Sequence, residues 1–404
     1  MTFRSQPILF GLGNDDLGPL GLLVIRLLKA LATPLILFAV LDSFLKTKLT
    51  GASARRLLGT CLVNVTVAMV IGLTILNVFR PGAAWSGHID ELLTGISGSG
   101  AAIPKVPEGT QPTLNPLKNL AGYVPESVVD PIARNNVVPL VLLAVLAGAA
   151  LRRLKDHPPL DAVRAIETVA DVVDIGYRTL ITVLMWVAHL IPLAVALIIA
   201  QVVGRAGIGV FAVLWPFLMT VLAGLFIHWL IYYPAVAWFV GRRSPRVFFG
   251  GGADAIVSAF SINSSLATMP ITLRCLAGMG VSAKASRLSA CVGSNFNNDG
   301  VMLYEAIAAL FLCQALGYDL SFSSQLIVVL ASIMAGVGIA GIPEAGLIVL
   351  PLVLTAAGLP EAAVAAAIPL IVPVDWIIAR VRSAVNVTAD MLVAIVLDRL
   401  GERD

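Results

Sequence analysis

The chain has 404 residues, 58% of them apolar or aromatic and 13% charged, with a mean hydropathy of +0.93. Soluble globular chains carry about a quarter charged residues, so this composition excludes disorder, collagen-like repeats and nucleic-acid recognition through a basic surface. It predicts an all-α polytopic membrane protein; the net charge of +3, from 27 basic and 24 acidic residues, says nothing further about partners.

Spanning the hydrocarbon core takes about 20 apolar residues as a helix. Candidate spans run over 17–45, 57–79, 137–151, 179–203, 210–240, 288–316 and 362–397, the third being short and either broken or partly interfacial. Two further apolar stretches, 250–272 and 326–357, have helix-breaking centres. The first contains Ser261-Ile262-Asn263-Ser264-Ser265 and Pro270; the second contains Gly336-Val337-Gly338-Ile339-Ala340-Gly341-Ile342-Pro343. Irregular backbone at membrane depth is tolerated only where protein or a polar cavity surrounds it. Both stretches read as re-entrant helical hairpins with tips near mid-bilayer, two Gly-kinked spans being the alternative.

Basic residues set the orientation. Lys46, Lys48, Arg55 and Arg56 fill the first inter-span loop, and Arg152, Arg153, Lys155 and Arg164 follow the third span. Arg242, Arg243 and Arg246 follow the fifth, and Arg274, Lys284 and Arg287 follow the first hairpin, while the alternate loops are basic-poor. The basic loops and the C-terminus are therefore expected in the cytoplasm. The first hairpin then enters from inside and the second from outside, an inverted repeat of the kind whose solute sites lie at the repeat interface.

Cys61, Cys275, Cys291 and Cys313 are far apart and read as buried apolar side chains; His88, His157, His189 and His228 are equally scattered. No transition-metal site or disulfide framework is expected. Gly95-Ile96-Ser97-Gly98 has the local form of an intramembrane serine protease motif, but it lies in a hydrophilic loop with no partner histidine, and no enzyme is expected.

Ionisable residues at membrane depth are costly and mark function. At about 100° per residue, Asp375, Ala379, Arg382, Asn386 and Asp390 of the last span share an arc of roughly 80°. Arg382 offers a planar fork suited to a carboxylate, and Asn386 and Asp390 supply hard oxygens for a small cation or a proton. An ion pair internal to the stripe is the alternative reading. Arg380 points roughly 120° away from the stripe. In the preceding span, Asn297-Asn298-Asp299-Gly300 predicts an unwound turn with carbonyls facing a ligand, and Glu305 lies beyond it as a candidate proton carrier.

From about Phe260 to Leu397 the chain resembles the dicarboxylate/amino acid:cation symporter family, which includes the glutamate transporters. The matching text is Ser264-Ser265 with Thr268-Met269-Pro270, Asn297-Asn298-Asp299-Gly300, Ala340-Gly341-Ile342-Pro343-Glu344-Ala345-Gly346, Val374-Asp375-Trp376 and Arg382-Ser383-Ala384-Val385-Asn386-Val387-Thr388-Ala389-Asp390. The resemblance implies a homotrimer in the cell (inner) membrane, with a static scaffold and a transport domain moving as an elevator. It implies scaffold over 1–56 and 137–209, an extracellular loop over 81–136, and a transport domain over 57–80 and 210–404. It assigns Arg382 to the solute's distal carboxylate, with Ser264, Ser265, Ser383, Gly346, Asp375 and Asn386 completing the solute site. Asn297, Asp299, Asn386, Asp390 and Asn64 go to sodium, and Glu305 to proton coupling. No cofactor is implied beyond sodium as the coupling ion.

The departures are informative. Ala379 stands where amino-acid-transporting members have an aspartate for the solute's ammonium, and an unpaired buried ammonium is costly. Val301 and Asn298 replace the motif threonine and methionine. Gly336 and Ile339 replace residues near one sodium site, and Asn64 and Val65 replace two hydroxyl residues near another. The family's first span is not matched by residues 1–16: either the chain starts late or that scaffold helix is missing. The expected function is symport of an acidic solute, a C4-dicarboxylate, with sodium and with protons as a further coupling ion. The alternatives are an acidic or neutral amino acid:cation symporter, or a passive anion channel or sensor on the same scaffold.

Overall fold

The computed structural model describes residues 14–46, 51–85, 127–133, 137–159, 161–206, 210–339, 345–359 and 361–401, and no strand occurs among them. Most of the loop at 81–136 with its serine motif, Lys48, and residues 340–344 of the second hairpin's motif lie outside the described residues.

Helices α1 (Asn14–Lys46) and α2 (Gly51–Phe79) are both long and apolar but go to different neighbours. α1 packs against α3 (Val137–Asp156), α4 (Val163–Ala188) and α5 (Ile191–Ala206). Its C-terminal end is held by charge. Lys46 pairs with Asp42 at 2.9 Å and with Asp174, while Arg152 Nη1 and Lys155 Nζ donate to the Leu45 carbonyl at 3.3 and 3.1 Å. Such donors satisfy carbonyls that a helix terminus leaves unpaired.

Two spans differ from the sequence expectation. The third is an unbroken helix of 20 residues, because the polar run from Arg152 to Asp156 continues the helix, held by an Arg152–Asp156 pair at 2.6 Å. The fourth is two helices: α4 ends at Ala188, α5 begins at Ile191, and the bend between them is 45°. Pro192 explains the break, since it has no N–H to donate and its ring crowds the carbonyl one turn back.

The rest of the chain forms a second group of helices, to which α2 belongs. α6 (Val210–Ile227) runs into a π turn (His228–Tyr232) and then α7 (Tyr233–Phe239). α8 (Pro245–Ile262) and α9 (Ser265–Gly278) pack against each other as a hairpin. The next span is segmented into α10 (Ala283–Arg287), a π turn (Leu288–Val292), a 3-10 turn (Gly293–Asn295) and α11 (Asp299–Ala315). α12 (Phe322–Gly338) and α13 (Ala345–Ala356) pack together as a second pair, followed by α14 (Glu361–Gly401).

The four hairpin helices have 18, 14, 17 and 12 residues. At 1.5 Å per residue none reaches beyond about 27 Å, short of the ~30 Å hydrocarbon core. By contrast the 41 residues of α14 extend about 60 Å. α11 and the second half of α14 are buried almost throughout, so they form the middle of this group.

Segments Arg55–Phe79 and Leu214–Phe239, of 25 and 26 residues, are long and apolar enough to cross a membrane. Both turn large apolar side chains outward, including Leu62, Val63, Val78, Trp238 and Phe239, as a helix facing lipid does. Cys61, Cys275 and Cys313 are buried as expected, but Cys291 is exposed, which corrects the reading of all four as core residues.

Candidate functional site

The polar residues of α14 are met by the N-termini of other helices. α8 ends at Asn263, which takes the left-handed conformation (φ 57°, ψ 38°), a role asparagine fills because its short polar side chain tolerates that region. Ser264 then caps α9 by accepting the Ala267 N–H at 3.1 Å. Ser383 Oγ donates to Asn263 Oδ1 at 2.9 Å, so the start of α9 is tied to α14 beside Arg382. Ser264, Ser265 and Ser383 are all buried there.

The N-terminus of α11 is held one turn along. The Gly300 N–H donates to Asn386 Oδ1 at 2.9 Å. A Cβ at position 300 would lie 2.9 Å from the Arg382 carbonyl and 3.0 Å from Asn386 Oδ1, so only glycine allows this approach. The start of α13 comes closest of all: the guanidinium of Arg382 lies against Gly346 where a Cβ would stand.

Arg382 itself is buried, with 2% of its surface exposed. Its Nη2 lies 3.5 Å from Asp375 Oδ2, at the outer limit of a hydrogen bond, and its Cζ sits 4.0 Å above the Tyr304 ring. Glu305 is fully buried in the same neighbourhood, and neither of its carboxyl oxygens has a hydrogen-bond partner among the described residues. Arg380 turns away: its Nη1 donates to its own helix at the Trp376 carbonyl, 2.8 Å, and the guanidinium lies 5.3 Å from the Trp376 ring.

A second cluster lies at the segmented span. Asp299 is fully buried, and its Oδ2 receives His228 Nε2 at 3.2 Å and the Tyr233 hydroxyl at 3.1 Å. Asn64 on α2 donates to Asn297 Oδ1 at 3.3 Å and accepts from the Tyr232 hydroxyl at 2.9 Å. Asp390 is buried within charge range of Asp299, and Ser289 Oγ donates to its backbone carbonyl at 2.6 Å. Asp299 Oδ1, Asp390 Oδ1 and Asn297 Nδ2 are buried with no hydrogen-bond partner among the described residues. Hard oxygens arranged in this way suit a small cation.

The predicted site residues therefore fall into two clusters joined by Asn386. Arg382, Ser383, Asp375, Gly346, Ser264 and Ser265, with Glu305 nearby, surround one. Asn64, Asn297, Asp299 and Asp390 surround the other. Sequence reasoning missed Tyr304, His228, Tyr232 and Tyr233. His228 lies deep inside an apolar span, but so does His189, so sequence position alone does not single it out.

The sequence profile of the sodium:dicarboxylate symporter family matches residues 8–400. The chain belongs to that family. It is 34% identical over 308 residues to excitatory amino acid transporter 1 of Mus musculus, covering 76% of this chain and 54% of the relative. Against excitatory amino acid transporter 4 of Mus musculus the identity is 34% over 286 residues, covering 69% and 48%. The chain thus spans about half the length of these two relatives. Excitatory amino acid transporter 1 of Ambystoma tigrinum is 29% identical over 430 residues, covering 95% of this chain and 77% of the relative. As a member of a symporter family the protein is an integral membrane protein.

One departure from the family's motifs, Asn298, reaches the backbone at the positions of two others. Asn298 Nδ2 donates to the carbonyls of Gly336 at 3.0 Å and Ile339 at 2.8 Å, at the end of α12. Helix C-termini leave carbonyls without intrahelical donors, and here a buried amide supplies them. Asn298→Leu keeps the volume but strips both bonds, leaving buried acceptors that cost about 1–3 kcal/mol. A lowered melting temperature of the detergent-solubilised protein is the expected result, and an unchanged one would show that the amide is dispensable.

Proposed function

We propose that the protein is a secondary active symporter for an acidic solute, a C4-dicarboxylate, driven by sodium. The observation that carries this reading is the buried guanidinium of Arg382 at the point where the N-termini of α9, α11 and α13 meet α14. A helix N-terminus carries about half a positive charge and exposed N–H donors. Added to a guanidinium, such ends make a site for carboxylates, which the fork of arginine binds in bidentate fashion.

The solute's distal carboxylate goes to Arg382 and Tyr304, and the rest of it to Ser264, Ser265, Ser383 and Asn386. Asp375 orients the guanidinium. Sodium goes to Asn297, Asp299, Asn386 and Asp390, with Asn64 holding Asn297. The carbonyls of Gly336 and Ile339 each receive the Asn298 amide, which takes up one of the two lone pairs on each oxygen. Glu305, buried without a hydrogen bond among the described residues, is the proton carrier we assign to the same cycle. We further assign a homotrimer in the cell membrane with the C-terminus in the cytoplasm. The α1–α3–α4–α5 group acts as scaffold, and the helices around α11 and α14 form the domain that moves.

The choice of dicarboxylate over amino acid rests on Ala379, which is buried three residues before Arg382 on the same helix face. No carboxylate stands there to receive an ammonium. The names of the relatives favour the second reading, an acidic amino acid. Uptake of labelled succinate, malate and aspartate into proteoliposomes, with and without a sodium gradient, decides between them. Concentrative, sodium-dependent uptake of a dicarboxylate in preference to aspartate is expected; preference for aspartate sinks the Ala379 argument, and current without coupled uptake sinks symport. Ala379→Asp is expected to move the aspartate-to-succinate ratio by at least about tenfold, or about 1.4 kcal/mol, toward aspartate.

A further inference from the structure

We propose that the π turn at His228–Tyr232 is a working part of the cation site, with His228 and Tyr233 as positioning residues that clamp one oxygen of Asp299 and aim the other at the cation. The inference rests on the sodium site assigned above. In an α-helix, residues five apart point about 140° from each other at 100° per residue. The wider turn is closed by the Tyr233 N–H on the His228 carbonyl, an i to i+5 bond. It brings both side chains to one face, where His228 Nε2 and the Tyr233 hydroxyl reach the same Asp299 Oδ2 at 3.2 and 3.1 Å.

A carboxylate has only acceptor sites, so both groups act as donors and the imidazole carries its hydrogen on Nε2. With a single donor the carboxylate could swing and exchange its oxygens. Two donors on Oδ2 remove that freedom and leave Oδ1, buried and without a hydrogen-bond partner among the described residues, as the outward oxygen. The donors are themselves fixed by their rings. His228 stacks on Tyr232 at 4.9 Å between centroids and 13° between planes, and meets Tyr233 edge-on at 4.6 Å and 64°.

The same turn reaches further. The Tyr232 hydroxyl donates to Asn64, and the Asn64 amide donates to Asn297. Trp229 Nε1 donates to Thr388 Oγ at 3.0 Å, on α14 between Asn386 and Asp390. Three donors from this turn and a fourth from Tyr233, which closes it, thus orient the carboxylate, the neighbouring amide and the last helix around the place assigned to sodium. Groups that hold a metal ligand in place are typically worth about 10- to 100-fold in ion affinity.

The test titrates sodium against the full-length protein without solute, in a choline background, reading the melting temperature for the parent, His228→Leu, His228→Gln and Tyr233→Phe. The parent is expected to be stabilised by sodium. His228→Leu and Tyr233→Phe are expected to raise the sodium half-saturation about 10- to 100-fold, with the solute half-saturation at saturating sodium unchanged. His228→Gln, which keeps a donor, recovers most of the loss. Tyr233→Phe removes a single oxygen and carries the test if His228→Leu does not fold. An unchanged sodium half-saturation in the folded variants overturns the inference, as does an equal rise for sodium and solute or a glutamine variant that recovers nothing. A parent with no sodium response overturns the sodium-site reading itself, a separate and distinguishable result.

Discussion

Arg382→Ala is expected to abolish uptake of acidic solutes. The guanidinium is buried, rests on the Tyr304 ring at 4.0 Å and lies 3.5 Å from Asp375, so little bulk water is available to take its place. Removing one partner of a buried charged pair costs about 3–5 kcal/mol, or roughly two to three and a half orders of magnitude in affinity at about 1.4 kcal/mol per decade. Two effects add in this variant: the solute loses its fork, and Asp375 loses its guanidinium. The second lowers the melting temperature without solute, so uptake and stability are to be measured on the same preparation. Arg382→Lys separates them, because it keeps a charge near Asp375 but replaces a planar fork by a point donor. It is expected to retain the parent's stability better than it retains uptake. Normal transport by Arg382→Ala would remove the anchor from the proposed mechanism.

The parts of this fold that the sequence made legible are those where backbone chemistry is written in residue type. Asn263 followed by Ser264 and Ser265 marks a left-handed residue and a helix cap, and α8 gives way to α9 there. Asn297-Asn298-Asp299-Gly300 marks an unwound turn, and the helix is interrupted between Asn295 and Asp299. The bend at Pro192 is not legible in the hydropathy of the span, because a single missing N–H does not interrupt it. The π turn is less legible still. His228-Trp229-Leu230-Ile231-Tyr232 is apolar and aromatic, and the choice between i to i+4 and i to i+5 bonding leaves no mark on composition. Pro234 is the one local cause visible in the sequence: it lacks an N–H and crowds the carbonyl of Leu230, and the wide turn lies immediately before it.

The candidate site divides in the same way. Arg382, Asn386, Asp390 and Asp299 were legible because charged and amide side chains are rare in apolar helices. Their supports were not. Tyr304, His228, Tyr232 and Tyr233 are ordinary members of an apolar span until the fold turns their polar ends toward a carboxylate or their rings under a guanidinium. Asn298 shows a further limit. As a residue it reads as one more departure from a motif, alongside Gly336 and Ile339. Only the three-dimensional contact shows that the amide at the first position answers the carbonyls at the other two.

Gly346→Ala is expected to damage solute binding severely while adding only one methyl group. A Cβ built there would lie 1.7 Å from Arg382 Nη1, 2.5 Å from Arg382 Cζ and 2.7 Å from Tyr304 Cε1, all well inside van der Waals contact. Arginine ends are normally flexible and yield at little cost, so the outcome turns on what this one would give up. Tyr304 lies under the guanidinium and Asp375 beside it; a shift away from α13 forfeits part of both contacts and moves the fork off the solute's carboxylate. A displacement of about 1 Å at a positioned group is enough to cost about 100-fold. The half-saturation for the acidic solute is therefore expected to rise by about that factor, with sodium stabilisation in the absence of solute retained, since Asp299 and Asp390 are held by other elements. Gly346→Ala differs from Arg382→Ala in keeping the charge, so high solute concentrations should restore its uptake where they cannot restore that of the arginine deletion. An unchanged solute half-saturation would mean that the guanidinium moves freely, and the close packing of α13 against Arg382 would then have no part in recognition.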